Sequence, residues 1–342
     1  MAAPLSPPPG PTRTARLAAY DTLAAALSRP DGRGLEKLLA GAAAVGTGGR
    51  AARLEVAGLP VLARRVPLTD RELLAGNVLS TADLFGLPAA CHHGVDSPGT
   101  GAWRTLAAHS AATDLVLMGQ AQGFPLLYHW RVLPDPDAAA LLDQAEAERM
   151  IDRWDGAPGV RARVEELGRA SHSVLLFLEH VPFSLAQWLS ARTAEGGAGA
   201  EAAWSAARQG VEHAAAFLRA RGTVRFDLDP DRLRTDGRRL YLAGPGPVLD
   251  QRFELSAEEA GFLSEQLDHG LARAAAGLVR CAEPIAPEAR PAAAAAVIAR
   301  YAPVAAVLDG FLGRLRQEGA RAVYPAQEIG DALAGPEGAA AP

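Results

Sequence analysis

The chain has 342 residues, 49 % of them hydrophobic, and a formal net charge of −5. That length supports one two-lobed domain or two small domains, and the charge argues against a nucleic-acid binder that works by bulk attraction to phosphate. Two cysteines, Cys91 and Cys281, cannot build a disulfide framework or a cysteine-rich zinc site.

Residues 1–14 are Pro-rich and aperiodic, and read as a disordered tail. Pro7-Pro8-Pro9 stands where a signal peptide would need a continuous apolar run. Segments 14–27 and 34–44 suit short amphipathic helices. A glycine-rich turn, Val45-Gly46-Thr47-Gly48-Gly49-Arg50, precedes two β-like segments, 51–56 and 59–66, joined by Ala57-Gly58. Glycines allow close backbone approach to a phosphate, although a Gly cluster is more often a plain loop.

Residues 70–81 read as a helix or turn. Cys91-His92-His93-Gly94 carries metal-ligand side chains, but adjacent residues seldom converge on one ion and no second cluster completes a set. A helix opens at Trp103, with Trp103, Leu106 and Ala107 on its apolar side. Segment 124–134 reads as a strand, 138–154 and 159–169 as helices, and 173–180 as a fully buried strand. Ser184 caps a small helix over 184–189. Segment 193–200 is Gly/Ala-rich and expected to be a loop. A helix over 201–220 turns Ala203, Trp204, Ala207, Val211, Ala214, Phe217 and Leu218 inward. Helices over 255–276 and 291–317 follow, then a short one from Tyr324 and a frayed tail from 335. No run of eighteen residues is expected to span a bilayer, because the longest candidate, 292–308, contains Arg300 and Pro303. A cytoplasmic protein without a membrane partner is therefore expected.

Between the 201–220 helix and the next stands the stretch that carries chemistry. Arg225-Phe226-Asp227-Leu228-Asp229-Pro230-Asp231-Arg232 is an acidic loop. The Asp236-Gly237 turn then joins Leu233 to Leu240-Tyr241-Leu242, and Gly244-Pro245-Gly246 follows. Protein kinases carry a helix, an acidic catalytic loop, a hairpin and a Gly-containing triplet in this order. The sequence resembles the protein kinase-like superfamily, and within it actinobacterial kinase-like proteins whose loops read His-Phe-Asp, then Asn-(Ile/Val)-Leu-Thr-Asp-Gly-Arg-Arg-Leu-Tyr, then Asp-Phe-Gly. Phe226-Asp227 and Thr235-Asp236-Gly237-Arg238-Arg239-Leu240-Tyr241 match. The similarity extends over most of 45–330.

The resemblance implies an α+β, bilobal fold: a β-rich N-lobe with N-terminal helices over 15–180 and a helical C-lobe over 181–333. It implies nucleotide contacts at Gly46, Gly48 and Gly49, at Arg64 (or Arg65) in place of the strand lysine, and at the hinge backbone around Glu179 and Val181. Thr105 stands in for the helix glutamate that pairs with that lysine. The departures are chemical. The His position is Arg225, the metal-binding Asn position is Arg232, and the metal-binding Asp position is Gly244. Asp227 keeps the place of the base, but without Mg²⁺ ligands general-base help of about 10²–10⁴-fold cannot replace the missing electrostatic stabilisation. Lys37 and Asn77 are the only lysine and asparagine in the chain, and neither sits at a catalytic position. Asp227, Asp229 and Asp231 imitate a calcium loop, but Arg232 and Arg238 stand where Gly and Glu are needed.

The expectation is a pseudokinase that binds rather than reacts, with Asp227 a vestigial base and no metal. Arg225 and Arg232 would hold an ATP phosphate or an acidic protein partner in place of Mg²⁺. The rival expectation is a divergent ATP-dependent phosphotransferase using Asp227 as base and Asp229 or Asp231 as metal ligands. A third is an interaction domain with a collapsed cleft.

Overall fold

The computed structural model describes residues 10–45, 50–244 and 246–335, without the side chain of Leu141. Gly46, Gly48 and Gly49, Pro245, and both chain ends lie outside the described residues. The architecture is α+β, and the chain divides into two compact units.

The first unit comprises Pro11–Pro88 and Thr100–Val181. Helix α1 (Arg13–Ser28) starts at Thr12, whose hydroxyl accepts the Ala15 N–H, and α2 (Gly32–Ala40) starts likewise at Asp31. The helix expected over 34–44 stops four residues early, because Ala43–Ala44 forms β1 against β2 (Ala51–Val56). The turn into β3 (Leu59–Leu68) has φ of 50° at Ala57 and 76° at Gly58, as a tight two-residue hairpin requires. The expected helix or turn over 70–81 is a single turn, α3 (Asp70–Leu73), followed by a 3-10 turn at Ala75–Asn77. Helix α4 (Ala102–Leu117), strand β4 (Leu127–Pro134), helices α5 (Gln144–Arg153) and α6 (Pro158–Leu167) and strand β5 (His172–Glu179) complete the unit. Helix α5 begins at 144 rather than 138, because the Asp143 carboxylate caps it by accepting the Glu146 N–H.

The sheet is antiparallel throughout, in the order β1-β2-β3-β5-β4. Alternation gives it two buried faces. On one, Leu62, Val66, Leu68, Val174, Leu176, Leu178, Trp130 and Val132 pack with Trp103 and Leu106 of α4. On the other, Val61, Ala63, Leu175 and Phe177 are buried. Helix α1 packs on that side, with Tyr20 against Tyr128.

The second unit is built from Ala89–Gly99 and the chain after Pro182. Strand β6 (Phe183–Ser184) leads into α7 (Leu185–Glu195), where Ser184 and Gln187 form a reciprocal capping box. The loop expected over 193–200 is absent. Helix α8 (Gly197–Ala220) starts directly after α7, and the bend is confined to Gly196 and Gly197, at φ of 69° and 64°. Two glycines are enough to turn the chain, and the surrounding alanines keep it helical. Ala214 and Phe217 are half-buried, and Ala215 takes the core position instead.

Strands β7 (Thr223–Arg225), β8 (Arg234–Thr235), β9 (Leu240–Tyr241) and β10 (Val248–Asp250) form two small antiparallel sheets, β10-β7 and β6-β8-β9. The helix expected over 255–276 is two helices, α9 (Ala257–Glu265) and α10 (His269–Ala282), with no Gly or Pro at the break. Fully buried Gln266 ends α9.

The last helices are α11 (Ala292–Glu318) and α12 (Ala326–Ala334). The expectation that no segment could span a bilayer is corrected: Ala292–Arg321, at a mean hydropathy of 1.5, is long and apolar enough by length and composition. Arg300 and Pro303 do not offset its alanines, valines and leucines. One face of this helix, including Val297, Tyr301, Val304, Leu308, Phe311 and Leu315, is buried against neighbours that include α8, α10 and α12.

Candidate functional site

The acidic loop grows out of β7, whose register pairs Arg225 with Val248. Phe226 anchors it in an apolar cluster with Val224, Leu249 and Leu263, and stacks on Phe262 at 5.9 Å between ring centres. Asp227 then turns inward, with 7 % of its surface exposed. Its Oδ2 accepts the Gly246 N–H at 2.8 Å, and its Oδ1 lies 3.4 Å from Arg225 Nε. The Arg225 guanidinium also donates to the carbonyls of Leu242, at 3.3 Å, and Gly244.

The glycines that flank Pro245 are required by this arrangement. A Cβ at Gly244 would overlap Asp227 Oδ2, and one at Gly246 would overlap the Asp227 Cβ and carboxyl. The Asp227 carboxylate is thus enclosed by backbone and by one buried cation. Its two oxygens have partners within the chain, as burial of a charge demands.

Asp229 is also engaged. Asp229 accepts from Arg280 at 2.8 Å and lies 3.7 Å from Arg273, while Arg280 reaches Asp309 at 3.0 Å. Burial pushes the Arg273 guanidinium below its usual range, Asp229 pulls it up, and Arg280 and Arg232 push it down. Pro230 lies so close to α10 that Gly277 has no room for a Cβ. Asp231 and Arg232 are exposed. The Cys281 thiol is pushed up to about 11 by burial, then by Asp231 and Asp229, which keeps it protonated near neutrality. Arg225 and Arg232 do not converge on a common partner among the described residues. One is buried on Asp227, and the other faces solvent.

Downstream, the Asp236-Gly237 turn forms as the sequence predicts, with Gly237 at φ 85°. Asp236 Oδ1 accepts the N–H groups of Arg238 and Arg239, and its Oδ2 accepts the Tyr241 hydroxyl at 2.9 Å.

In the sheet unit, Arg64 shares the α4 side of β3 with Leu62 and Val66, opposite Leu176. Arg65 points to the other side, 3.5 Å from Asp135, which also accepts the Ser173 hydroxyl. The Thr105 hydroxyl donates back to the Gly101 carbonyl of its own helix start. Glu179 is occupied. Its carboxylate receives Arg16 Nε at 2.8 Å, Arg16 Nη2 at 2.7 Å and the Leu126 N–H at 3.1 Å. Its backbone N–H donates to the Leu126 carbonyl. Val181 is buried.

Two arrangements escape the sequence reading. Glu72 is buried and accepts the Ala102 N–H at the start of α4, as well as the N–H and hydroxyl of Thr69. The Thr-x-x-Glu signature at 69–72 is a legible sign of that role. Arg16 carries no local signal, because its partner is 163 residues away. His92 and His93, considered as metal ligands, sit with His269 in a buried aromatic cluster. Among the described residues, no three His, Cys, Asp or Glu side chains converge as a metal-binding set. No protein-family model and no curated protein matches this sequence.

Proposed function

We propose that this chain uses a kinase-like fold for recognition and not for phosphoryl transfer. The order of elements supports the kinase-like reading: an antiparallel sheet with a long helix after its third strand, then a capped small helix, a long helix, an acidic loop and an Asp-Gly hairpin.

The observation that carries the loss of catalysis is the enclosure of Asp227. A base must reach the hydroxyl it deprotonates, and this carboxylate is buried against Gly244 and Gly246 with Arg225 beside it. Glycine at 244 has no metal-binding oxygen in its side chain, and Asp229 is paired with arginines of α10. Phosphoryl transfer needs metal-borne charge neutralisation, and Asp227 and Asp229 are both taken up by arginines.

The partner is an acidic protein surface or a nucleotide phosphate engaged without metal. Arg232 is the exposed cation of the loop, and Arg225 contributes indirectly by holding the loop in shape. The test is ATP turnover by the full chain with Mg²⁺ and with EDTA, beside the Asp227→Asn variant. No turnover by either protein is expected. Mg²⁺-dependent phosphate release that Asp227→Asn abolishes would establish the phosphotransferase reading instead.

A further inference from the structure

The most unusual group of side chains outside the acidic loop is the histidine cluster of the second unit. His93, from the 3-10 turn Ala89–His93, lies 4.8 Å from His269 of α10, ring centre to ring centre. Around it stand Phe226, Phe262, Phe311 and Tyr324, at 5.3, 5.5, 4.9 and 5.6 Å. Tyr324 stacks on His93 and also lies 5.6 Å from His269. Both imidazoles are buried, yet Nδ1 of His93, Nδ1 of His269 and the Tyr324 hydroxyl have no hydrogen-bond partner among the described residues. Packing, not hydrogen bonding, holds this box together. Such a box tolerates neutral rings and resists added charge.

Tyr324 leads into α12, which begins two residues later and packs on α10 and α11. Ile329 is fully buried, and Arg300 of α11 donates to the Leu333 and Ala334 carbonyls at 2.6 and 3.4 Å. A short helix, exposed along much of its surface, opens at lower cost than the core helices it packs on.

We propose that His93 and His269 form a proton-operated latch that releases Tyr324 and α12 on acidification. Undocking Tyr324 hydrates both rings, so the open form takes up protons that the closed form excludes. The charged and titratable groups facing the box all favour that sense or are already paired. The Arg273 cation of α10 disfavours protonation of both imidazoles, and His92 adds to the effect on His93. Glu259 of α9 is taken up by His92 at 3.2 Å. Asp268 acts on Tyr324, whose hydroxyl burial pushes well above its usual range, so that group stays neutral throughout. Helix α11 contributes Phe311, which does not titrate.

The sign follows from proton counting. Burial, and for His93 the neighbouring His269, hold both rings below 6.5, with His269 at about 3. The open form binds more protons below pH 6.5, so its population rises as pH falls. Between pH 7.5 and 5.5 each imidazole that regains its ordinary pKa raises the open population about tenfold, and both together about a hundredfold.

Hydrogen–deuterium exchange of the full chain at the two pH values, corrected for intrinsic rates, reads this directly. Protection of amides in 326–334 should fall about a hundredfold, while β5 stays protected. In His93→Gln or His269→Gln the fall should shrink to about tenfold. Unchanged protection in 326–334, or an equal loss in α8, α10 and α12, would overturn the latch. So would a His93 or His269 ring signal in the intact protein that titrates near 6.5 with α12 still protected, a reading that needs no variant.

Discussion

Asp227 and Arg225 depend on each other, and a substitution at either should be felt in stability before activity. Their side chains are 6 % and 8 % exposed. Arg225→Met leaves a buried carboxylate with only the Gly246 N–H, and should cost about 3–5 kcal/mol in chemical denaturation. Gly244→Ala forces a methyl into Asp227 and should cost about 1–3 kcal/mol. An acid at 244 would therefore unsettle the loop as well. The sequence made Arg225, Asp227 and Gly244 legible as a group, because the spacing of a loop and a turn is a one-dimensional property. It did not show that Asp227 would be walled in, because that depends on where two glycines place their backbone. Arg225 and Arg232 look alike in one dimension for the same reason. A cation's direction is set by the strand and turn beneath it, and here one faces inward and the other outward.

At the level of elements, local chemistry was legible at several caps and turns and overlooked at Asp143 and Thr69. Ser184, the Ala57-Gly58 hairpin, the 51–56 strand and the Asp236-Gly237 turn were all readable, each with its own mechanism. Thr69 caps α3 in a box with Glu72, which also holds the first turn of α4, so Thr69→Ala should cost about 1 kcal/mol or more in thermal or chemical unfolding. Ala57 sits at φ 50°, a conformation that disfavours a Cβ. Ala57→Asn, a residue that tolerates this region, should stabilise the chain by about 0.5–1 kcal/mol by the same measurement. What stayed hidden were breaks and continuations that tertiary packing decides. No residue between Glu265 and His269 announces the end of α9. Gly196 and Gly197 announce a loop that the flanking helix formers override. Composition also misled at α11, where two residues expected to interrupt an apolar run did not lower its hydropathy enough.

For the molecule as a whole, pH is the variable on which the buried groups act together. His93 and His269 are both neutral in the folded protein, and the unfolded chain protonates them below their ordinary value. Global stability should therefore fall as pH drops below 6.5, by up to about 1.4 kcal/mol per pH unit for each imidazole. For His269 the loss continues to about pH 3. Urea midpoints recorded at pH 7.5, 6.5, 5.5 and 4.5 should decline steadily at constant m-value, and His269→Gln should flatten the decline.

The join between Arg16 and Glu179 has a practical corollary for anyone shortening this protein. A version beginning at the first strand would look tidy on paper, yet it would strip the guanidinium from the carboxylate at the end of β5 and bare the apolar sheet face that α1 covers. Such a fragment should precipitate through that bared face, and Glu179→Gln alone should not restore its solubility.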